Sequence, residues 1–130
     1  MPKDMEQQIT EVSTNFKRGA TEMLLLSLLE EKEQYAYELT KALKKATLGL
    51  FDIQGPSLYM ALYRLEQKGF VAPREEQTGR RIRVYYRILP DGKAYLQQLI
   101  AEYESITAGI HAVLEQRTVQ TENEGGMQDD

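Results

Sequence analysis

The residues with chemistry to offer in this sequence are mainly arginines and tyrosines. Ser57, Tyr59, Met60, Tyr63 and Arg64 crowd into one short stretch, and Arg80, Arg81 and Arg83 into another. Arginine's planar fork donates two parallel hydrogen bonds, which suits phosphate oxygens. Tyrosine and methionine beside a single arginine suit contact with a partner, where a merely solvated helix face would be rich in glutamate and lysine. Catalytic chemistry is poorly supplied. Cysteine is absent, so disulfides, thiol catalysis and thiolate metal sites are excluded. The lone histidine, His111, has no second histidine to ligate with, and no glycine-rich phosphate loop or clustered acid pair accompanies it. No enzyme activity, metal or cofactor is expected.

The first stretch needs a helix to present it. Gly55-Pro56 marks a helix start and Gly69 a stop. Between them Leu58, Ala61, Leu62 and Leu65 share one face at helical spacing, which leaves Met60, Tyr63 and Arg64 on the other, flanked by Ser57 and Tyr59. The second stretch needs a strand. Ile82, Val84, Tyr86 and Ile88 alternate with Arg81, Arg83, Tyr85 and Arg87, so one face is expected to be buried and the other basic. A first strand is expected from Phe70 to Arg74, with Glu75 to Gly79 as the polar turn. A two-stranded hairpin is marginal alone and must lean on helices.

Those helices are legible upstream. From Met5 to about Glu31, Ile9, Val12, Phe16, Met23 and Leu26 recur at helical spacing, and Met23 to Leu29 is apolar nearly all round, the mark of a central core helix. Lys17, Arg18 and Gly19 interrupt it, so a short leading helix ahead of a core helix is expected. Glu30 to Gln34 reads as a polar turn, Tyr35 to about Thr47 as a second helix, and Leu48 to Gln54 as a loop. The second helix turns Ala36, Leu39, Ala42 and Leu43 inward and Lys41, Lys44 and Lys45 outward. The fold class predicted is mostly α with a small antiparallel β-hairpin. It is a helix-turn-helix followed by a basic hairpin, the winged-helix layout, with a long C-terminal helix.

That last helix is expected from Pro90 to about Arg117. Leu96, Leu99, Tyr103, Ile106, Ile110 and Val113 form a heptad seam, which asks for a partner helix. Little else in the chain can cover it, so self-association is expected, with Ile9, Val12 and Phe16 of one subunit embracing the partner's last helix. The expected organisation is an N-terminal helical extension over 1–15, the winged domain over 16–89, the dimerisation helix over 90–117 and a disordered acidic tail over 118–130.

Charge distribution supports a polyanionic partner. The formal charge is −4, but the tail from Thr118 carries Glu122, Glu124, Asp129 and Asp130 with no base. Pro56 to Arg87 holds seven basic residues against three acidic ones. No apolar run reaches the ~18–20 residues of a membrane span, and the polar start lacks the layout of a secretion signal, so no membrane partner and a cytoplasmic location are expected.

Tyr-Ala-Tyr-Glu-Leu (Tyr35 to Leu39), the run from Ser57 to Val71 and Gly-Arg-Arg-Ile-Arg-Val-Tyr-Tyr-Arg-Ile (Gly79 to Ile88) resemble the PadR family of bacterial transcriptional regulators, over about Phe16 to Val113. The resemblance implies a winged-helix homodimer that binds palindromic operator DNA and mostly represses. It puts Ser57, Tyr59, Met60, Tyr63 and Arg64 at the DNA-facing helix surface and Arg80, Arg81 and Arg83 on the wing. It also implies that some of the smaller members bind planar aromatic compounds between subunits. Tyr103, with Phe16 and Ile106 beside it, is the candidate site here, against the plainer reading of interface packing. Three positions depart from the family pattern: Ala36 stands for a glycine, Met60 for a proline, and Leu89-Pro90 where a threonine caps the last helix. The alternative is a dimeric protein-interaction adaptor that uses the same helix face without sequence-specific DNA binding, since Tyr, Met and Arg are also enriched at protein interfaces.

Overall fold

Leu25, Leu26 and Leu29 are all removed from solvent, and the structure builds outward from them. They lie on α1, Lys3–Glu31, in a computed structural model that describes residues 3–126. Then come β1 (Gln34–Tyr35), α2 (Ala36–Ala46), α3 (Gly55–Gln67), β2 (Val71–Thr78), β3 (Arg81–Ile88) and α4 (Pro90–Gly126). The chain divides into two units, one ending at Leu96 and one beginning at Gln97.

In the first unit, α2 contributes Ala36, Leu39 and Leu43 to the core, and α3 contributes Leu58, Ala61, Leu62 and Leu65, the face expected from their spacing. Val71 and Tyr86 close the core from the sheet. The loop between α2 and α3 is tied by Thr47, whose hydroxyl donates to the Leu43 carbonyl at 2.8 Å and accepts the Phe51 N–H at 3.0 Å.

Several boundaries differ from expectation. α1 runs unbroken through Gly19, because one glycine costs only about 1 kcal/mol and the packed segment beyond it holds the helix together. The expected polar turn at Gln34 contains a short strand instead. The Gln34 side chain is buried and donates to the Leu28 carbonyl at 3.0 Å, satisfying one of the acceptors left open at the end of α1. β1 pairs antiparallel with β3, Gln34 opposite Tyr86 and Tyr35 opposite Tyr85, so the sheet has three strands in the order β1-β3-β2 rather than two.

β2 continues to Thr78, so Glu75 and Glu76 are strand residues opposite Val84 and Arg83. The turn is only Gly79-Arg80, with Gly79 at φ 65°, a conformation that a two-residue hairpin turn requires and glycine reaches without strain. The expected buried face of β3 is buried only at its base: Tyr86 is covered, whereas Ile82 is 59 % exposed because the tip projects past the helices.

α4 starts against the sheet. The Leu89 N–H donates to the Phe70 carbonyl at 2.9 Å, and Phe70 stacks on Tyr95 with ring centroids 4.2 Å apart. Gly92 permits that approach, since a Cβ there would overlap the Phe70 carbonyl oxygen. Leu96 is fully buried within this unit. It therefore completes the core of this unit and is removed from the expected intersubunit seam.

In the second unit, Tyr103, Ile106, Ile110 and Val113 are exposed and Leu99 is half-buried. The helix passes the expected stop at Arg117 and runs to Gly126, because no proline or glycine lies between Arg117 and Gly125. The remainder of the expected acidic tail, 127–130, lies outside the described residues.

Candidate nucleic-acid interface

α3 presents two chemically different sides. Leu58, Leu62 and Leu65 are sealed against the core, while Tyr59, Met60 and Tyr63 are 56, 57 and 58 % exposed. Ser57 and Arg64 are also exposed. The helix N-terminus, with Pro56 in its first turn, has no side-chain cap, so Ser57 stands where unpaired backbone N–H groups point outward.

Arg64 is not free. Glu22 on α1 lies 3.5 Å from its Nε and 3.6 Å from Lys68 Nζ, so one carboxylate holds both Arg64 and the residue that caps the end of α3. Sequence reasoning missed this pair, since nothing local links residues 42 positions apart. At such exposure the pairs contribute only about 0–1 kcal/mol each, so they orient these side chains more than they stabilise the fold.

On the wing, antiparallel register puts Arg87, Tyr85, Arg83 and Arg81 on one face with Ala72, Arg74, Glu76 and Thr78. Arg80 in the turn and Arg81 just after it are exposed and without an ion pair among the described residues. Arg74 is engaged on three sides. It meets Glu33 at 2.8 Å and Glu76 at 3.1 Å, and its guanidinium lies 5.0 Å from the Tyr85 ring centroid. The hydrogen bonds it donates to Glu33 and then to Glu76 raise its pKa, which keeps it a cation throughout the accessible range. Arg83 lies 4.6 Å from the centroid of Tyr35, the residue just ahead of α2. Tyr86, on the inner face, has its pKa raised chiefly by burial, with Glu66 adding to the effect.

The remaining candidates fall in two places. Ile9, Val12 and Phe16 line an apolar hollow with Leu50 and Phe51. Tyr103 and Ile106 belong to the second unit. Among the described residues no cluster of His, Asp and Glu gathers as a metal site would need, and no helix is long and apolar enough to cross a membrane.

Three core helices, a small antiparallel sheet and a basic hairpin with an exposed α3 define a winged helix-turn-helix, a DNA-binding class. Residues 25–98 match the family described as "Transcriptional regulator PadR-like family". An uncharacterised protein of Lysinibacillus sphaericus is 32 % identical over 105 residues, 80 % of this chain and 96 % of that protein. A transcriptional regulator from Clostridium thermocellum is 34 % identical with a TM-score of 0.72, over 75 % of this chain and 96 % of its own. A PadR family regulator from Eggerthella lenta is 28 % identical with a TM-score of 0.80, over 88 % of this chain and 98 % of its own. The chain belongs to the PadR-like family, whose members are transcriptional regulators rather than enzymes.

Proposed function

We propose that the protein is a cytoplasmic repressor that binds a palindromic operator as a two-fold homodimer. The observation that carries this is the exposed Ser57, Tyr59, Met60 and Tyr63 face backed by a sealed leucine face, in a family of DNA-binding regulators. Each subunit would lay α3 in a major groove, half-sites lying about one turn (~34 Å) apart, with Arg80, Arg81 and Arg83 on phosphates. Arg64 would exchange Glu22 for DNA. The exposed apolar stripes, Ile9, Val12 and Phe16 on α1 and Tyr103, Ile106, Ile110 and Val113 on α4, support pairing of two copies, with Leu99 at the seam's start. A small planar aromatic compound between the subunits, against Tyr103, Phe16 and Ile106, is the proposed releasing effector.

The test is a gel shift with duplex from upstream of the protein's own gene against competitor DNA, repeated over a salt series. Specific retention is expected, with affinity falling steeply as salt rises. The triple change Arg80→Ala, Arg81→Ala, Arg83→Ala should weaken binding and flatten that slope. An unchanged affinity and slope would remove the wing from the interface. Failure of the wild-type protein to prefer any duplex would favour the interaction adaptor.

A further inference from the structure

The outer face of the wing carries a connected set of rings and guanidinium groups of which the DNA-binding reading uses only Arg83. Tyr35 and Tyr85 meet edge to face, with centroids 5.3 Å apart and ring planes at 74°. The Arg83 guanidinium carbon lies 4.6 Å from the Tyr35 centroid, and that of Arg74 lies 5.0 Å from the Tyr85 centroid. The two tyrosines therefore hold one arginine each, but the arginines differ in what remains of them.

Arg74 is saturated by Glu33 and Glu76. Glu76 is also the residue directly opposite Arg83 in the ladder, and so its natural neutralising partner. With Glu76 turned to Arg74, Arg83 makes no ion pair among the described residues. Its stem is half-buried, and one side of its guanidinium is directed at an aromatic ring. Attraction to a ring face leaves the N–H edge of a guanidinium available, and that edge is what pairs with phosphate.

We propose that Tyr35 is a positioning residue for DNA binding: it holds Arg83 in a phosphate-ready orientation, so that the wing binds with one fewer flexible side chain to order. Tyr35 is suited to this because it is itself fixed. Its backbone pairs with Tyr85 in the sheet, and its N–H donates to the Glu38 carboxylate at 3.2 Å at the start of α2. One residue thereby connects the first helix of the helix-turn-helix to the wing. The proposal rests on the DNA-binding reading given above and adds a residue that touches no DNA.

The test uses the full chain and a duplex selected from a random-sequence pool by the wild-type protein. Tyr35→Phe keeps the ring and should keep affinity. Tyr35→Leu should lose about 2- to 5-fold per half-site, the range an exposed cation–ring contact supports, or about 4- to 25-fold for a dimer on two half-sites. Arg83→Lys keeps the charge on a surface residue and loses the planar contact. It should weaken binding in the wild-type background and do almost nothing in the Tyr35→Leu background. Arg83→Ala should lower the salt slope by roughly 0.9 per half-site.

Equal losses from Arg83→Lys in both backgrounds would overturn the coupling, as would a Tyr35→Phe variant no better than Tyr35→Leu. Thermal melts of each variant separate a loosened fold from a lost orientation, because only the former lowers stability in step with affinity. If no duplex is selected at all, DNA binding itself is refuted and the positioning role falls with it. If one is selected and the cycle is additive, only the role of Tyr35 fails.

Discussion

Tyr86 illustrates how one side chain serves the core and reports on it. Its ring closes the core from the middle strand, and burial raises the pKa of its hydroxyl above the ordinary 10.0. The unfolded chain would then release this proton first. The stabilisation is complete below pH ~10 and is lost as pH rises from there through the folded-state value. Tyr86→Phe should therefore flatten the alkaline part of a stability–pH curve measured by chemical denaturation. Arg64, Arg74 and Arg83 make a related point. Their sequence positions marked them as basic residues of the helix and wing, but which are occupied depends on Glu22, Glu33, Glu76 and Tyr35, two of them about forty positions away. Alternation along β3 names the face of Arg83 and is silent about the ring beneath it.

At the scale of elements, the parts legible in the sequence were those with local signals. α3 follows from proline, glycine and four apolar residues at helical spacing, and its sealed face is the one that spacing names. β1 was not legible, since two residues carry no periodicity and become strand only by pairing with β3 some fifty positions on. The reach of β2 was masked by Glu75 and Glu76, which read as turn by composition but pair in the ladder. Leu96 fitted the heptad spacing of α4 and is nonetheless core, because the first turns of that helix pack on the sheet. Gly92 is what lets them. A methyl there overlaps the Phe70 backbone carbonyl and presses on the Ile88 side chain, so Gly92→Ala should cost roughly 1–3 kcal/mol, read as a lowered Tm.

For the whole molecule, the unresolved demand of a single chain is its uncovered apolar surface. Ile106 and Ile110 are exposed on α4, as are Ile9 and Phe16 on α1. If the proposed dimer covers them, Ile106→Asp with Ile110→Asp should give a monomer by sedimentation velocity while α3 stays folded, and operator affinity should fall far more than any single wing change lowers it. A consequence of a different kind follows from the short reach of β1. It pairs only with Tyr85 and Tyr86, so from Arg81 to Val84 the middle strand has a side with no neighbour among the described strands. Unpaired backbone N–H and C=O groups beside an exposed Ile82 are a template on which another molecule's strand could add. Arg81 and Arg83 border that open edge, and their like charges repel a second copy. The wing is thus kept free of its own kind by the residues proposed to hold DNA, and neutralising them alters colloidal behaviour as well as binding.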